Sequence, residues 1–230
     1  MRQTLDLQFQ HVESAVTDQI VKKIVLEELG WEPSVNSAHI GVTARDGVVT
    51  LTGHVGSYAE KWAAGQGAAR VSGVKAIADE IEVRYSEPVE DGDEGIAKRA
   101  LQVLAWDIVV PKNQVKVKVD KGWVTLSGVV DWYYQKHNAE GDVRKLHGVM
   151  GVTNLIALKP GVQASDVRKK IKDALERNAQ IEANDIVVST DGGKVILKGT
   201  INSFYERNLA ERTAWSAPGV TAVEDLMSFS

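Results

Sequence analysis

One short pattern occurs three times along the chain, and it constrains the fold more than any other feature of the sequence. The copies read DGVVTLTG at 46–53, KGWVTLSG at 121–128 and GGKVILKG at 192–199. Their final glycines lie about 75 and about 71 residues apart, a spacing typical of small domains rather than of solenoid repeats. The nearly equal intervals predict that a whole domain-sized unit is repeated three times.

The residues around each copy indicate the same order of elements. An amphipathic helix is predicted first, because apolar residues recur at i, i+4 and i+8: Val21, Val25, Leu29; Ile96, Ala100, Leu104; and Val167, Ile171, Leu175. Two alternating runs joined by a glycine turn then indicate a β-hairpin. A second helix with a narrow face of small residues follows, and a glycine–valine pair ends it and begins a last strand.

We therefore predict an α+β protein of three tandem αββαβ domains. A right-handed crossover makes the hairpin's second strand parallel to the last strand, which gives a three-stranded mixed sheet with two helices on one face. The predicted divisions are an N-terminal extension at 1–16, units at 17–85, 94–158 and 162–230, a disordered acidic linker at 86–93 and a short linker at 159–161.

Two local features of the first unit carry further expectations. Residues 4–9 alternate in the manner of a strand, so the N-terminal extension is a candidate to pair with a sheet edge. Asp18 is placed near the start of the first helix, where a carboxylate satisfies free backbone amides. Trp31 and Trp106 occupy equivalent positions just after the first helix of their units, and we expect each to cover its own core.

Composition argues against catalysis and against cofactors. The chain has no cysteine, which excludes disulfides and thiolate metal sites. Its five histidines share no repeat position and show no metal-ligand spacing, although His39 and His54 are placed to face each other across the first hairpin. No serine stands in a nucleophile elbow. We predict no enzymatic activity, no cofactor and no metal.

Charge and the N-terminal sequence limit the partners and the location. The net charge of −4 gives no support to nucleic-acid binding. Only the middle unit is basic, with nine basic and six acidic side chains between 94 and 158. The first residues lack the apolar core of a signal peptide, so a cytoplasmic location is predicted, or a periplasmic one only if the start is processed or truncated.

The repeated unit resembles the BON domain (bacterial OsmY and nodulation). The matching residues are the helix opening, the Asp/Lys-Gly-x-Val-Thr-Leu-x-Gly hairpin and the closing GVMGV at 148–152, and ELGWEPSVN at 28–36 is similar to the first unit of triple-BON, OsmY-like bacterial proteins. The resemblance covers residues 17–230 and implies a non-enzymatic module. It also implies roles in envelope maintenance, osmotic stress or binding of anionic phospholipid.

The middle unit departs most from its siblings at the start of its second helix. Trp132 stands where the other units have the capping residues Ser57 and Ser203. Aromatic side chains beside cations favour a lipid headgroup interface. The candidate lipid- or partner-binding residues are Trp132, Tyr133, Tyr134, Lys136, Arg144 and Lys145. The alternative interpretation is packing of these aromatics against a neighbouring domain, with Asp131 capping the helix one residue early.

Two other tryptophans lie off the narrow alanine face of the second helices. Trp62 and Trp215 are candidates for contacts between domains or between copies of the chain, and partial burial within their own units is the alternative. The resemblance thus implies a stress- or envelope-related binding module, with an anionic membrane surface or a protein client as the expected partner. The other function it leaves open is a protein–protein scaffold or chaperone-like stress protein, and the oligomeric state is left undetermined.

Overall fold

Each repeat folds in the order helix, strand, strand, helix, strand, as the repeat alignment predicts. The computed structural model describes residues 2–159, 167–177 and 186–229, with side chains from residue 17 onward. The first unit contains α1 (Arg2–Trp31), β1 (Ile40–Arg45), β2 (Val48–Val55), α2 (Tyr58–Arg70) and β3 (Ala76–Val83).

The other two units repeat this plan. The second contains α3 (Gly92–Trp106), β4 (Val115–Asp120), β5 (Trp123–Val130), α4 (Tyr133–Arg144) and β6 (Gly151–Leu158). The third contains α5 (Val167–Glu176), β7 (Ile186–Asp191), β8 (Lys194–Ile201), α6 (Phe204–Trp215) and β9 (Ala222–Phe229).

Three separate three-stranded sheets have their strands in sequence order, and each has one antiparallel and one parallel pair. The predicted mixed sheet and the α+β class are therefore confirmed. Each sheet buries one face under the two helices of its own unit, and the described residues form three distinct apolar cores. The buried residues of the three cores are thus separate, and the half-buried Tyr58 packs against the cores of the first and the second unit.

The last glycine of the repeated pattern is explained by the hairpin. Gly53 on β2 pairs with Ile40 on β1, and Gly128 on β5 pairs with Val115 on β4. Both have positive φ, 107° and 135°. A Cβ atom at either position would lie 2.0 Å from the carbonyl oxygen of the residue before the facing strand, His39 or Gln114. Only glycine fits this close approach.

A carboxylate on the first helix holds the hairpin turn in the first two units. Asp18 accepts hydrogen bonds from the amides of Asp46 and Gly47 at 2.9 and 3.3 Å. Asp93 accepts from the corresponding amides of the second turn, both at 2.8 Å. The prediction that Asp18 begins a helix is wrong, because α1 continues from Arg2 and Asp18 binds the turn instead.

One expectation about the N-terminal segment is wrong. Residues 4–9 belong to helix α1 and not to a strand; apolar residues at 5, 9, 12 and 16 also fit helical spacing, so the short alternation was ambiguous. The last two residues assigned to the acidic linker belong to α3, which begins at Gly92, and Asp91 forms an ion pair with Arg99. Glu87 and Glu90 are exposed, and the linker itself stays a prediction.

The two tryptophans expected to cover their cores do not. Trp31 is 84% exposed and Trp106 is 75% exposed. Smaller side chains in the loops that follow, Val35 and Val110, close those cores instead. A bulky indole at the last position of each helix points to solvent, because the chain turns back over the core only after the helix has ended.

Candidate functional site

Helix α4 begins without the serine cap of its counterparts. Ser57 and Ser203 each accept a hydrogen bond from the third helical amide, at 3.2 and 3.1 Å. The indole of Trp132 has no acceptor oxygen to do this. Gln135 instead accepts from the amides of Asp131 and Trp132, at 3.1 and 3.0 Å. The alternative in which Asp131 caps the helix is wrong, since its carboxylate faces Lys159 at 3.9 Å.

The three consecutive aromatic residues point in two directions. Trp132 is 43% exposed and Tyr134 is 53% exposed. Tyr133 turns toward the third unit, where its ring stacks on Trp215 with centroids 5.1 Å apart and an interplanar angle of 10°. The candidate surface is therefore reduced to the two exposed rings, and Tyr133 serves the contact between units.

Arg144 also faces another unit. Its guanidinium lies 3.7 Å from the centroid of the Trp62 ring on α2 and forms a 2.9 Å ion pair with Glu140. The side chain is 7% exposed, so this cation is not presented to solvent. Lys145, the next residue, is exposed at the end of α4.

Trp62 and Trp215 both lie at contacts between units. Their partners are Arg144 and Tyr133, so each contact joins the middle unit to one of its neighbours. A cleft of about 260 Å³ lies where the second helices of the three units meet. Side chains from α2, α4 and α6 line it, including His137, Glu211 and Arg212.

The charged groups around this cleft have shifted pKa values. Burial lowers the pKa of His137, and nearby Arg212 lowers it further. Burial and the adjacent carboxylate of Asp225 raise the pKa of Glu211. Both shifts favour the neutral form of the side chain. The cleft thus brings a histidine and a glutamate, both shifted toward their neutral forms, together with Arg212 at the junction of the three units.

Lys136 differs from its counterparts in the other units. Lys61 pairs with Asp79 at 3.5 Å, and Arg207 pairs with Asp225 at 2.8 Å. At the strand position of Asp79 and Asp225, the middle unit has Asn154. Lys136 is half-buried, and burial lowers the pKa of its ammonium, with Glu140 partly opposing the shift. Sequence comparison of the repeats could have found this difference, because the three strand residues align.

The open face of the middle sheet carries a second group of residues that sequence reasoning missed. Trp123, Val129 and Leu155 are 50%, 49% and 62% exposed on that face. Lys116 and Lys118 are exposed on the neighbouring strand β4. Their alternation with buried or half-buried valines was the available signal.

A second carboxyl pair lies in the middle unit, at the end of α3 and on α4. Burial and the neighbouring carboxyl of Asp107 raise the pKa of Asp142. The folded protein therefore holds this proton more tightly than the unfolded chain does. The resulting stability is present at low pH and is lost as the pH rises through the raised pKa.

We expect asparagine at position 142 to remove the destabilising effect of an ionised, partly buried carboxylate beside Asp107. Asp142→Asn should raise the free energy of unfolding at pH 7 and flatten its decline above pH 4, because the amide carries no charge beside Asp107. Urea unfolding of both proteins across that range measures the effect. A variant less stable than the parent at pH 7 would contradict the assignment.

The described residues contain no group of three or more potential metal ligands and no helix long and apolar enough to cross a membrane. The rings of His39 and His54 stack 4.8 Å apart across the first hairpin, as predicted. The GVMG sequence at 148–151 is engaged by the first unit, because the Tyr85 hydroxyl donates to the Val149 carbonyl at 2.7 Å.

Comparison with known proteins agrees with this architecture. The family model of the BON domain matches residues 17–85, 92–160 and 163–230. The chain therefore belongs to the BON domain family and carries three BON domains, as the resemblance implied.

A particular relative is Osmotically-inducible protein Y of Escherichia coli (strain K12). It is 30% identical over 161 residues, which cover 68% of this chain and 80% of the relative. Two solved structures of CdsD, a structural protein of the type III secretion system of Chlamydia trachomatis, are 18% and 16% identical, with TM-scores of 0.27 and 0.25. They cover 90% of this chain and 91% and 96% of their own.

Proposed function

We propose that this protein is a non-enzymatic binding module related to osmotic stress, which attaches peripherally to anionic phospholipid through the start of α4. The observation that carries the proposal is the exposure of Trp132 and Tyr134 at the start of α4, the helix of the basic middle unit that also carries Lys136. Membership of the BON family and similarity to an osmotically inducible protein support the stress-related role.

The chemistry of these side chains suits a membrane surface. Indole and phenol rings have an apolar body and a polar edge, which places them at the level of lipid headgroups. A lysine near an anionic surface contributes about 1 kcal/mol of attraction. One cation and two rings give a weak, reversible contact, which is what a peripheral attachment requires.

We also propose a cytoplasmic location, which fractionation of osmotically stressed cells tests.

Flotation with liposomes tests the membrane contact. We expect the protein to float with phosphatidylglycerol vesicles and not with phosphatidylcholine vesicles, and to detach as salt rises. Trp132→Ala/Lys136→Glu should abolish flotation. The matched control is Trp31→Ala/Lys23→Glu, which makes the same chemical changes at exposed positions of α1 and should float as the parent does.

Two outcomes would defeat the proposal. One is flotation of the Trp132→Ala/Lys136→Glu variant equal to that of the parent. The other is a parent protein that binds neither vesicle.

The second candidate function is a protein–protein scaffold or chaperone-like stress protein. The apolar residues Trp123, Val129 and Leu155 on the open face of the middle sheet favour it. Apolar binding to a client should persist at high salt, whereas the lipid contact should weaken. Suppression of client aggregation by the parent, lost in Leu155→Lys and kept in Trp132→Ala/Lys136→Glu, would favour this function over the first.

A further inference from the structure

The first and third units share an internal ion pair between their second helix and their last strand. In the first unit the Lys61 ammonium donates to the Ile81 carbonyl at 2.7 Å and lies 3.5 Å from Asp79. In the third unit Arg207 donates to the Met227 carbonyl at 2.6 Å and pairs with Asp225 at 2.8 Å. A basic residue at this position is thus normally neutralised within its own unit.

The strand residue has a second, unchanging role. Asp79, Asn154 and Asp225 each accept a hydrogen bond from the amide two residues later, at 3.1, 3.2 and 2.8 Å. In the third unit the other carboxylate oxygen of Asp225 pairs with Arg207. In the first unit the oxygen of Asp79 that accepts the amide also lies 3.5 Å from the Lys61 ammonium. In the middle unit the group left beside this bond is the NH₂ of an amide.

The amide in the middle unit turns its donors toward α4. Asn154 Nδ2 donates to the Lys136 carbonyl at 2.9 Å and to Glu140 Oε2 at 3.1 Å. A donor offers no counter-ion to an ammonium group. Glu140, the carboxylate nearest in sequence, is already bound to Arg144 at 2.9 Å and to Asn154. Within the described residues, Lys136 has no ion-pair partner of the kind its counterparts have.

The carboxylate that acts on Lys136, Glu140, is shared with Arg144 and Asn154. A half-buried ammonium in this position has lost water with little compensation, which is costly. A ligand anion that reaches Lys136 restores the missing charge and so binds more strongly than it would at a solvated lysine. Trp132 stands four residues earlier, at the N-cap of α4, and is exposed. Asn154 of β6 bonds the Lys136 carbonyl, so the cation lies beside β6 and the indole lies at the same end of α4.

We propose that Asn154 makes Lys136 a phosphate-binding residue, with Trp132 as the adjoining apolar contact. This inference rests on the proposed function and names the residue that selects the ligand. The ligand class is a phosphate group, from a lipid headgroup or from a soluble phosphate compound. The outer units are unable to bind in this way because their own carboxylates occupy the corresponding cations.

Restoring the carboxylate tests the proposal directly. Asn154→Asp places a carboxylate at the position it has in the neighbouring units, and we expect affinity for phosphatidylglycerol vesicles to fall about tenfold. The variant also loses the two bonds that the Asn154 amide donates, so circular dichroism at the binding temperature checks that it is folded. Asn138→Asp adds the same charge to α4 two residues from Lys136 and is the matched control; it should weaken binding no more than about threefold. An equal loss in both variants would overturn the proposal.

A second variant keeps the test independent of folding at position 154. Lys136→Met retains the aliphatic stem and removes the charge, so it should lose affinity as Asn154→Asp does. In the Lys136→Met background, Asn154→Asp should cause no further loss beyond the roughly threefold effect allowed for the control charge, because the two residues act through one ion. Additive losses would show that Asn154 acts apart from Lys136 and would overturn the inference.

Titration with inorganic phosphate separates this inference from the membrane proposal. NMR shifts of the Asn154 side-chain amide should move with phosphate in the parent and stay fixed in Lys136→Met. Such shifts without vesicle binding would refute the membrane function and keep the phosphate site. Vesicle binding that is equal in the parent, Asn154→Asp and Lys136→Met would refute the site and leave the membrane function to the other residues.

Discussion

Replacing Gly53 by alanine is expected to lower the free energy of unfolding of the first unit by about 3 kcal/mol. The new Cβ would lie 2.0 Å from the His39 carbonyl oxygen, so β1 and β2 must separate where they are paired. The positive φ of 107° adds strain for any residue with a side chain. Thermal unfolding by circular dichroism measures the loss, and hydrogen exchange of the β1 and β2 amides locates it.

Gly65→Ala is the matched control in the same unit. Gly65 lies within α2, and a Cβ atom there meets no atom within 4 Å. Alanine stabilises a helix interior by about 0.5–1 kcal/mol relative to glycine. The same substitution therefore has opposite expected effects at the two sites. Equal melting temperatures for the two variants would show that the close approach at Gly53 is not a constraint.

Removal of the Arg144 side chain is expected to weaken the docking of the first two units. The guanidinium covers the Trp62 ring at 3.7 Å and balances Glu140; the Arg144 side chain is 7% exposed, whereas Trp62 is 37% exposed. Arg144→Ala should cost about 2–3 kcal/mol and expose Trp62. Guanidinium unfolding followed by tryptophan fluorescence measures both changes.

Two further variants separate the contributions of charge and shape. Arg144→Lys keeps the charge and loses the planar stacking group, so we expect an intermediate cost. Lys145→Ala removes the exposed neighbouring cation and should change stability by less than about 0.5 kcal/mol. If Arg144→Ala and Lys145→Ala behave alike, Arg144 does not hold the units together.

The repeat made the element order and sheet topology predictable, because each periodicity could be checked in three copies. The side-chain contacts between units could not be predicted in this way. Spacing shows that Tyr133 and Tyr134 point to different sides of a helix. It does not show that Tyr133 contacts Trp215 of another unit. Arg144 was grouped with solvent-facing cations for the same reason, since its partner Trp62 comes from about 80 residues away.

The candidate site could have been read more closely from the same alignment. Asp79, Asn154 and Asp225 occupy one repeat position, and the amide in the middle copy was the visible difference beside a basic residue. The effect of this difference on Lys136 could be seen only in the structure. The Asn154 oxygen accepts a hydrogen bond from the Ile156 amide, and this bond sets the direction of the Asn154 NH₂ group. Likewise, Trp31 and Trp106 end their helices, where periodicity no longer predicts which side is buried.

The meeting of α2, α4 and α6 has a consequence for cooperativity. Each unit has a complete core, so each is able to unfold by itself, yet its second helix also forms part of its neighbours' surface. Loss of the middle unit removes the partners of both Trp62 and Trp215, whereas loss of an outer unit removes only one of these contacts. Because α2 and α6 are also in contact, every unit touches both of the others, so the unfolding of any one unit removes contacts from the remaining two.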